Sequence, residues 1–500
     1  MKTGKRNQRF ASLLLAALML LSSLTVLAGC ADSGDAAATG TESGEITDSG
    51  ETATEAETKS APYTDLAKTK YNKNFVILNR SDTKYNFEVD TDGQESSLLD
   101  ELLVERNTVV SEDYGITFEY QYGTDYIEVN NRVSQQSLTG LDDYDVAIGH
   151  KLSMTTCMVN NYLEDLSSID TLSLTEEWWD QGCRTNLTIN GKLGMMTGDV
   201  LPSSLLISGC MAFNKKIMSE MGKTEPYEMV RSGEWTLNAF NTMTKDVTAD
   251  LNGDGEIDAQ HDRYGLTCWM MDVPFCLYYG AGGMFASIGD DGLPELSFED
   301  ADVINRYEKI YQTLIGQQAY FVTDLSIYDT VVETFSTGHA LFSNTSLGQI
   351  RGSFSDMTDD YGIVPMPKYD TNQKEYLSFV NGASPFVMIV NTESNPEYVG
   401  TILEAMARYN YENVSTKMFE IITKLQNVRD QDSSEMVDYI IRNRVYDFAY
   451  FLDLDVSNVV LTQLNDGKQE ISSKLKSAKK TSQNALKLQI KQMQRKQKKG

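Results

Sequence analysis

Between Asp250 and Gly283 the chain reads DLNGDGEIDAQHDRYGLTCWMMDVPFCLYYGAGG, setting hard oxygen donors beside aromatic rings and a glycine-rich turn. Asp250, Asn252, Asp254 and Asp258 follow the early spacing of an EF-hand-type loop, Gly255 stands where such a loop turns sharply, and Glu256 would add its backbone carbonyl. Oxygen donors at that spacing suit Ca²⁺. Ile257 would tie the loop to the core. The pattern departs at its end, where the twelfth position is His261 and Asp262 comes one residue late. The last ligand is therefore Asp262 or is missing, and the alternative to an ion site is an acidic surface turn that binds nothing. No catalytic residues accompany the loop, so the expected work of the ion is bracing. Downstream, Trp269, Asp272 and Tyr279 stand with Phe275, Tyr278 and the run Gly280-Ala281-Gly282-Gly283. Aromatic faces, a carboxylate and a yielding backbone suit a sugar, whose rings offer C–H faces and whose edges offer hydroxyls.

Three other places offer binding chemistry. Trp178 and Trp179 are adjacent, so their indoles point in different directions and at least one is expected to face a cleft. Tyr144 to Ile148 reads as a buried strand ending at Gly149-His150-Lys151. Ligands of open α/β sheets lie beyond the carboxyl ends of strands, which makes Gly149 and His150 candidates for a pocket rim, with a structural role equally open to His150. Asp199, after Thr197-Gly198, suits either ligand hydroxyls or the capping of a turn. Trp235 is read differently: with Thr236 as N-cap it falls at N′ and Phe240 at N4, the two partners of a hydrophobic staple.

The elements that must position these residues alternate. Phe75-Val76-Ile77-Leu78 is a continuous apolar run suited to a buried parallel strand. Leu98, Leu99, Leu102 and Leu103 open a helical stripe that stops near Tyr114-Gly115, and Ile116, Phe118, Tyr120 and Tyr122 alternate as a strand. Strand, helix and strand in that order point to an α/β lobe. Asn190-Gly191 predicts a tight hairpin turn, and Asn395-Pro396 starts a helix that buries Val399, Ile402, Leu403, Met406 and Ala407. The tail beyond Lys468 is rich in Lys and predicts a last amphipathic helix resting on Leu475, Ala478, Ala485, Leu488 and Met493. Its basic residues suit a solvated end or contact with anionic lipid or wall polymer.

Composition bounds the partners. A formal charge of −29 and a pI near 4.5 argue against nucleic acid or an anionic membrane as the main partner of the whole chain. Removing Cys30 from six cysteines leaves Cys157, Cys183, Cys210, Cys268 and Cys276, an odd number that cannot all pair within one chain. A reduced, buried set is the expectation. With three His and no CxxC, a zinc site is not expected.

At the N-terminus, Lys2, Lys5, Arg6 and Arg9 precede an uncharged run from Phe10 to Ala28. Leu27-Ala28-Gly29-Cys30 then resembles a bacterial lipobox. That resemblance implies that residues 1–30 are a lipoprotein signal segment ending in the lipobox, that cleavage makes the acylated Cys30 the new N-terminus, and that the chain is attached to the outer face of the cytoplasmic membrane by lipid alone. Residues 31–70 are expected to form a disordered acidic tether.

The order of features resembles the extracellular solute-binding proteins of family 1, the carbohydrate-binding subunits of ABC importers. Its carriers are the lipobox, Trp178-Trp179-Asp180, Ile189-Asn190-Gly191-Lys192, Asp250–Asp258 followed by Tyr264-Gly265-Leu266, Tyr279–Gly283, Gly338-His339-Ala340-Leu341-Phe342, and Tyr361-Gly362-Ile363-Val364-Pro365-Met366-Pro367. The resemblance implies an α/β, two-lobed fold of the periplasmic-binding-protein type II, with a ligand cleft between lobes. On that layout residues 71–204 and 365–425 form one lobe, and residues 205–364 and 426–500 the other, which carries the calcium-like loop. The expected function is capture of a carbohydrate, an oligosaccharide in first place, by closure of the two lobes of a monomeric receptor that hands it to an ABC permease, without catalysis. A polysaccharide-degrading enzyme and a calcium-dependent adhesion or sensory protein are the alternatives from other classes. Neither a GxSxG motif nor an acid/nucleophile framework stands out for the enzyme.

Overall fold

The run Phe75–Leu78 lies within β1 (Lys73–Arg80), where Phe75, Ile77 and Leu78 are buried. Burial on both faces follows from the strand's central place in its sheet. The computed structural model describes residues 63–81, 98–270, 272–322, 327, 329–354, 357–423 and 431–495. The lipobox Cys30, the expected tether as far as residue 62 and the basic residues Lys496, Lys498 and Lys499 lie outside the described residues; Tyr63, expected within the tether, is instead buried edge-on to Tyr409 with its hydroxyl on Asp113. From Lys59 onward the chain forms one compact unit.

Helix α1 (Leu98–Tyr114) carries the chain to β2 (Ile116–Gly123), which pairs parallel with β1 from Lys73↔Ile116 to Arg80↔Gly123. Helix α2 (Tyr126–Thr139) leads on to β3 (Val146–Gly149), parallel to β1 on its other side. Asp125 caps α2 by accepting from the Glu128 N–H, and Gly140, at φ 73°, ends it in the left-handed conformation. Both connections are the helical crossovers that parallel neighbours require.

The second sheet collects β4 (Gly209–Asn214), β5 (Tyr264–Trp269), β8 (Tyr320–Val322), β9 (Ala340–Ser346) and β10 (Tyr361–Val364) in the order β10-β4-β9-β5-β8. Strands β6 (Ala286–Ile288) and β7 (Pro294–Leu296) make a separate hairpin. Helices α3 (Leu237–Thr244), α4 (Val273–Gly280) and α5 (Asp300–Tyr311) belong to the same stretch of chain. The chain then returns. Strand β11 (Ser378–Phe379) stands apart from both large sheets and pairs with β13 (Arg444–Val445), while β12 (Phe386–Met388) joins β3 antiparallel and completes the first sheet as β12-β3-β1-β2. Helices α6 (Pro396–Asn413), α7 (Asp455–Asn465) and α8 (Ile471–Met493) follow.

Local chemistry explains several boundaries. Asn395 accepts from the Tyr398 N–H at 3.2 Å and Pro396 takes N1, so α6 starts where predicted and buries the five predicted side chains. Trp235 packs edge-on to Phe240 at 5.7 Å, with Thr236 capping α3 and the indole N–H on the Pro365 carbonyl at 2.8 Å. The staple holds. Asn190 and Gly191 both have positive φ, and Ile189 and Lys192 exchange two backbone hydrogen bonds of 2.9 Å, which is a type I′ hairpin turn. Gly198, at φ 151°, passes so close to the preceding loop that a Cβ would lie 2.5 Å from the Trp178 carbonyl oxygen. All five cysteines among the described residues are buried and free.

Helix α8 departs from expectation at one position. Ile471, Leu475, Ala478, Ser482 and Leu486 make its buried face, whereas Leu488 is 64 % exposed. Two residues beyond Leu486, Leu488 is turned about 200° around the helix and so points away from the core.

Candidate functional site

Because β1, β2 and β3 are parallel and in register, their carboxyl ends come out at one edge, marked by Arg80, Gly123 and Gly149. Gly149 itself is closed in: a Cβ there would meet the Met388 sulfur at 2.7 Å and the Ser153 Oγ at 2.9 Å. Its expected place on an open rim is corrected to a packing position inside the sheet. His150, one residue further, is half-buried at the edge and caps a short turn. Its Nδ1 accepts from the Leu152 N–H at 3.3 Å, which leaves the proton on Nε2, and its ring stacks on Tyr126 with centroids 4.2 Å apart. Burial, with Arg80 and Lys151 adding to it, pulls the imidazole down to about 3, so His150 is neutral.

Lys151 turns toward the returning chain. Its N–H donates to the Gly382 carbonyl at 3.1 Å, its Nζ lies 4.0 Å from the Tyr450 ring centroid, and Asp453 stands 3.6 Å away. Burial lowers its pKa. Gly382 donates to the Tyr450 hydroxyl at 2.8 Å, and Tyr450 packs edge-on to Phe275 and Phe379. From the second sheet, β5 ends at the half-buried Trp269, whose carbonyl accepts from the Asp272 N–H at 3.2 Å. Asp272 accepts in turn from Asn381 Nδ2 at 2.6 Å. Burial pushes the Asp272 carboxyl up to about 6 against the lowering effect of Asn381, which leaves it ionised at neutral pH.

Asn381-Gly382 thus joins His150-Lys151, at the end of one sheet, to Trp269 and Asp272, at the end of the other. This edge cluster presents aromatic faces at Tyr126 and Trp269, a carboxylate at Asp272, an amide at Asn381 and an ammonium at Lys151. Such a mixture can stack on a ring and exchange hydrogen bonds with hydroxyls. The sequence pattern carries little sign of Tyr126, Asn381 or Tyr450. Tyr126 alone was legible in principle, because it opens α2 directly past the end of a strand that shares an edge with His150.

The remaining candidates lie elsewhere. Trp178 and Trp179 are both buried, and both indole N–H groups donate to Glu404, at 3.0 and 2.8 Å. The expectation that one faces a cleft is corrected, because a buried carboxylate on α6 satisfies both. Tyr279 is 1 % exposed and stacked on Phe379 at 5.5 Å, so it is core beneath the cluster rather than its rim. Asp199 is buried, receives the Ser415 hydroxyl, and is pushed up to about 7 by that burial. Beside it Asp180 makes a buried ion pair with Arg444 of β13 and accepts from the Tyr446 hydroxyl at 3.0 Å. These groups brace the crossing strand.

In the acidic loop, Gly253 and Gly255 take positive φ of 76° and 87°, the turns that an ion loop requires. Asp250 accepts from Gly253 and Gly255 at 2.6 and 2.8 Å, Asn252 from Asp254 at 2.9 Å, and Asp254 from Glu256 at 2.9 Å. Asp258 accepts from the Gln260 N–H at 2.8 Å and sits 3.0 Å from His261 Nδ1. The late residue Asp262 is fully buried and closes the loop from within, accepting from Leu251 at 2.7 Å and Asp258 at 2.9 Å, which holds its carboxyl below the ordinary range. The donors are of the kind calcium takes. In this conformation, among the described residues, no three His, Cys, Asp or Glu converge to hold an ion. Cavities of about 580 Å³ beside Asn241 and Gln317, and about 540 Å³ beside Tyr264 and Tyr320, border none of the edge-cluster residues.

No protein-family model and no curated protein matches the chain. Solved structures do. The maltose/maltodextrin-binding domain MalE from Bdellovibrio bacteriovorus, bound to maltotriose, is similar at a TM-score of 0.51 and 14 % identity, over 84 % of this chain and 100 % of that one. An ABC transporter solute-binding protein from Agrobacterium radiobacter K84, in complex with ribitol, is similar at a TM-score of 0.50 and 13 % identity, over 83 % of this chain and 100 % of that one. At these identities the likeness establishes the fold: the chain has the α/β, two-lobed architecture of periplasmic-binding proteins.

Proposed function

We propose that the chain is a lipid-anchored, extracytoplasmic solute-binding protein of the family 1 kind, capturing a carbohydrate for an ABC permease. The observation that carries this reading is the Asn381–Asp272 hydrogen bond beside the Lys151–Gly382–Tyr450 contacts, which gather groups from the ends of both sheets at one place. Sugar hydroxyls would bridge Asp272 and Asn381 to His150 and Lys151, with Trp269 and Tyr126 against the ring faces. A ligand that touches both sheets stabilises the arrangement in which they approach each other, and a permease can read that arrangement. The lobes would be residues 71–204 with 365–425, and 205–364 with 426–500. Two structural neighbours carry maltotriose and ribitol, which supports a polyhydroxylated ligand without choosing one. Calcium at Asp250, Asn252, Asp254, Glu256 and Asp258 would brace the second lobe, and acylated Cys30 would hold the protein at the membrane. The test is melting temperature against a panel of mono- and oligosaccharides. A rise of several degrees for one sugar class supports the reading, and no shift with any member of the panel counts against it.

A further inference from the structure

Helix α8 carries no Asp or Glu from Ile471 to Met493, yet holds six lysines within a chain of net charge −29. Its apolar face is already taken: Ile471, Leu475 and Leu486 are buried, and Ser482 accepts from the Val456 N–H of α7 at 2.9 Å. Lys479 is likewise used, 3.0 Å from Asp300 of α5 and 4.6 Å from the Phe298 ring. Lys474, Lys476, Lys480, Lys487 and Lys491 are exposed, and among the described residues none of them forms an ion pair. At 100° per residue, Lys476, Lys480, Lys487 and Lys491 line one outward stripe about 22 Å long. Beside it stands Leu488, 64 % exposed, an apolar tip in a cationic field.

We infer that this face is a docking surface for an anionic phospholipid bilayer. The opposing argument is the net charge of the whole chain, and screening decides between the two. At physiological salt a charge is felt over about 8 Å, so a stripe laid against headgroups senses them while the acidic body behind is largely screened. Separated charge also orients the molecule with α8 toward an anionic surface. Among the described residues no helix is long and apolar enough to cross a membrane, and the buried face of α8 is occupied, so the contact is superficial and electrostatic. Leu488 adds a shallow apolar contact. The inference takes from the proposed function only that a bilayer is close by. It adds that the folded unit lies against the bilayer in a set orientation.

The test uses the chain from residue 31, which lacks Cys30 and the cationic, apolar segment before it and keeps the whole compact unit, so that neither leader nor acyl anchor binds the vesicles and failure of the anchoring reading leaves the result intact. Sedimentation with vesicles of phosphatidylcholine containing about a third phosphatidylglycerol is compared with pure phosphatidylcholine vesicles. The expected result is retention on the anionic vesicles alone, reversed by high salt. With Lys476, Lys480, Lys487 and Lys491 all changed to Gln, partition falls about a hundredfold or more, while the melting temperature is unchanged because these side chains are exposed and, among the described residues, form no ion pair. Retention equal on both vesicles, or unaffected by the fourfold variant, overturns the inference. So does retention by a soluble polyphosphate without retention by anionic vesicles, which would assign the face to a free polyanion.

Discussion

Trp179 donates its indole N–H to Glu404 Oε2 at 2.8 Å, across 225 residues of sequence, and Trp178 donates to the other oxygen of the same carboxylate at 3.0 Å. Ser173 N–H and Arg408 Nε complete the shell at 3.1 and 2.8 Å, and the Arg408 guanidinium lies 4.6 Å from the Trp178 ring centroid. Glu404 is 1 % exposed, so its charge is compensated wholly by these donors. Glu404→Ala takes the shared acceptor away from two buried indoles and from the half-buried Arg408 guanidinium, and should cost about 3–5 kcal/mol. Glu404→Gln keeps an acceptor and should cost less than half of that. Urea midpoints of the two variants check the order, and equal, small losses would refute the brace.

Asp199 yields a prediction in pH. Its carboxyl is raised to about 7 when folded, mainly by burial, against about 3.9 unfolded. Between those values the folded state holds the proton that the unfolded state has released, so its contribution is full below about 4 and is lost as pH rises through 7. Asp272 and Asp447, both raised to about 6, act in the same direction. The protein should therefore melt higher at pH 5 than at pH 8. Asp199→Asn should narrow that gap by stabilising the protein at pH 8, by at least about 1 kcal/mol. Calorimetric scans above pH 5 avoid carboxylates such as Asp113, held low by Lys68, whose effect has the opposite sign; His150, drawn down to about 3 by burial, also opposes the trend, but only from pH 5 to about 6.5, a narrower span than the three carboxyls cover together.

The same residues show what the sequence makes legible. Strands β1 to β3, α3 and α6 are readable because their causes are local: an apolar run, a cap, a staple, a proline at N1. The two tryptophans are misread for the converse reason. Their chemistry at residues 178–179 is that of a sugar platform, and only Glu404, on a distant helix, makes them a brace. Tyr279 fails similarly, since Phe379 covers it from the returning strand β11. Asn381 and Tyr450 enter the cluster through β11 and β13, strands two residues long whose pairing no periodicity announces. His150 can be singled out from the strand end before it, and Trp269 and Asp272 from the aromatic, carboxylate and glycine residues gathered at 269–283.

The edge cluster separates binding from stability. Asp272 is ionised at pH 7 and held by Asn381, so Asp272→Asn exchanges a charged acceptor for a neutral one and should weaken sugar binding about tenfold or more. Trp269→Ala and Tyr126→Ala should weaken it as well. Trp178→Ala should lower the melting temperature of the free protein while leaving affinity within a few-fold of the parent, which inverts the simplest expectation for a tryptophan pair. Isothermal titration of the four variants with the sugar that shifts the parent reads both effects. Affinity lost at Trp178 but kept at Asp272 and Trp269 would place the ligand elsewhere.

Calcium can be separated from the loop's own hydrogen bonds. Asp262 is buried and accepts two backbone N–H groups, so Asp262→Ala should destabilise the protein with or without calcium. Asp254 is exposed, and besides the local Glu256 N–H and Asn252 amide its carboxylate has, among the described residues, no hydrogen-bond partner outside the loop. Removing it should matter only if an ion draws the carboxylates of Asp250, Asp254 and Asp258 together. With calcium at about 100 times its dissociation constant the ion adds roughly 2.7 kcal/mol, so chelation should lower the melting temperature of the parent and of Asp262→Ala alike. In Asp254→Ala the chelator should have little further effect. A parent whose melting temperature ignores both calcium and chelator would make the loop a turn closed by Asp262 alone, leaving the edge cluster and its ligand untouched.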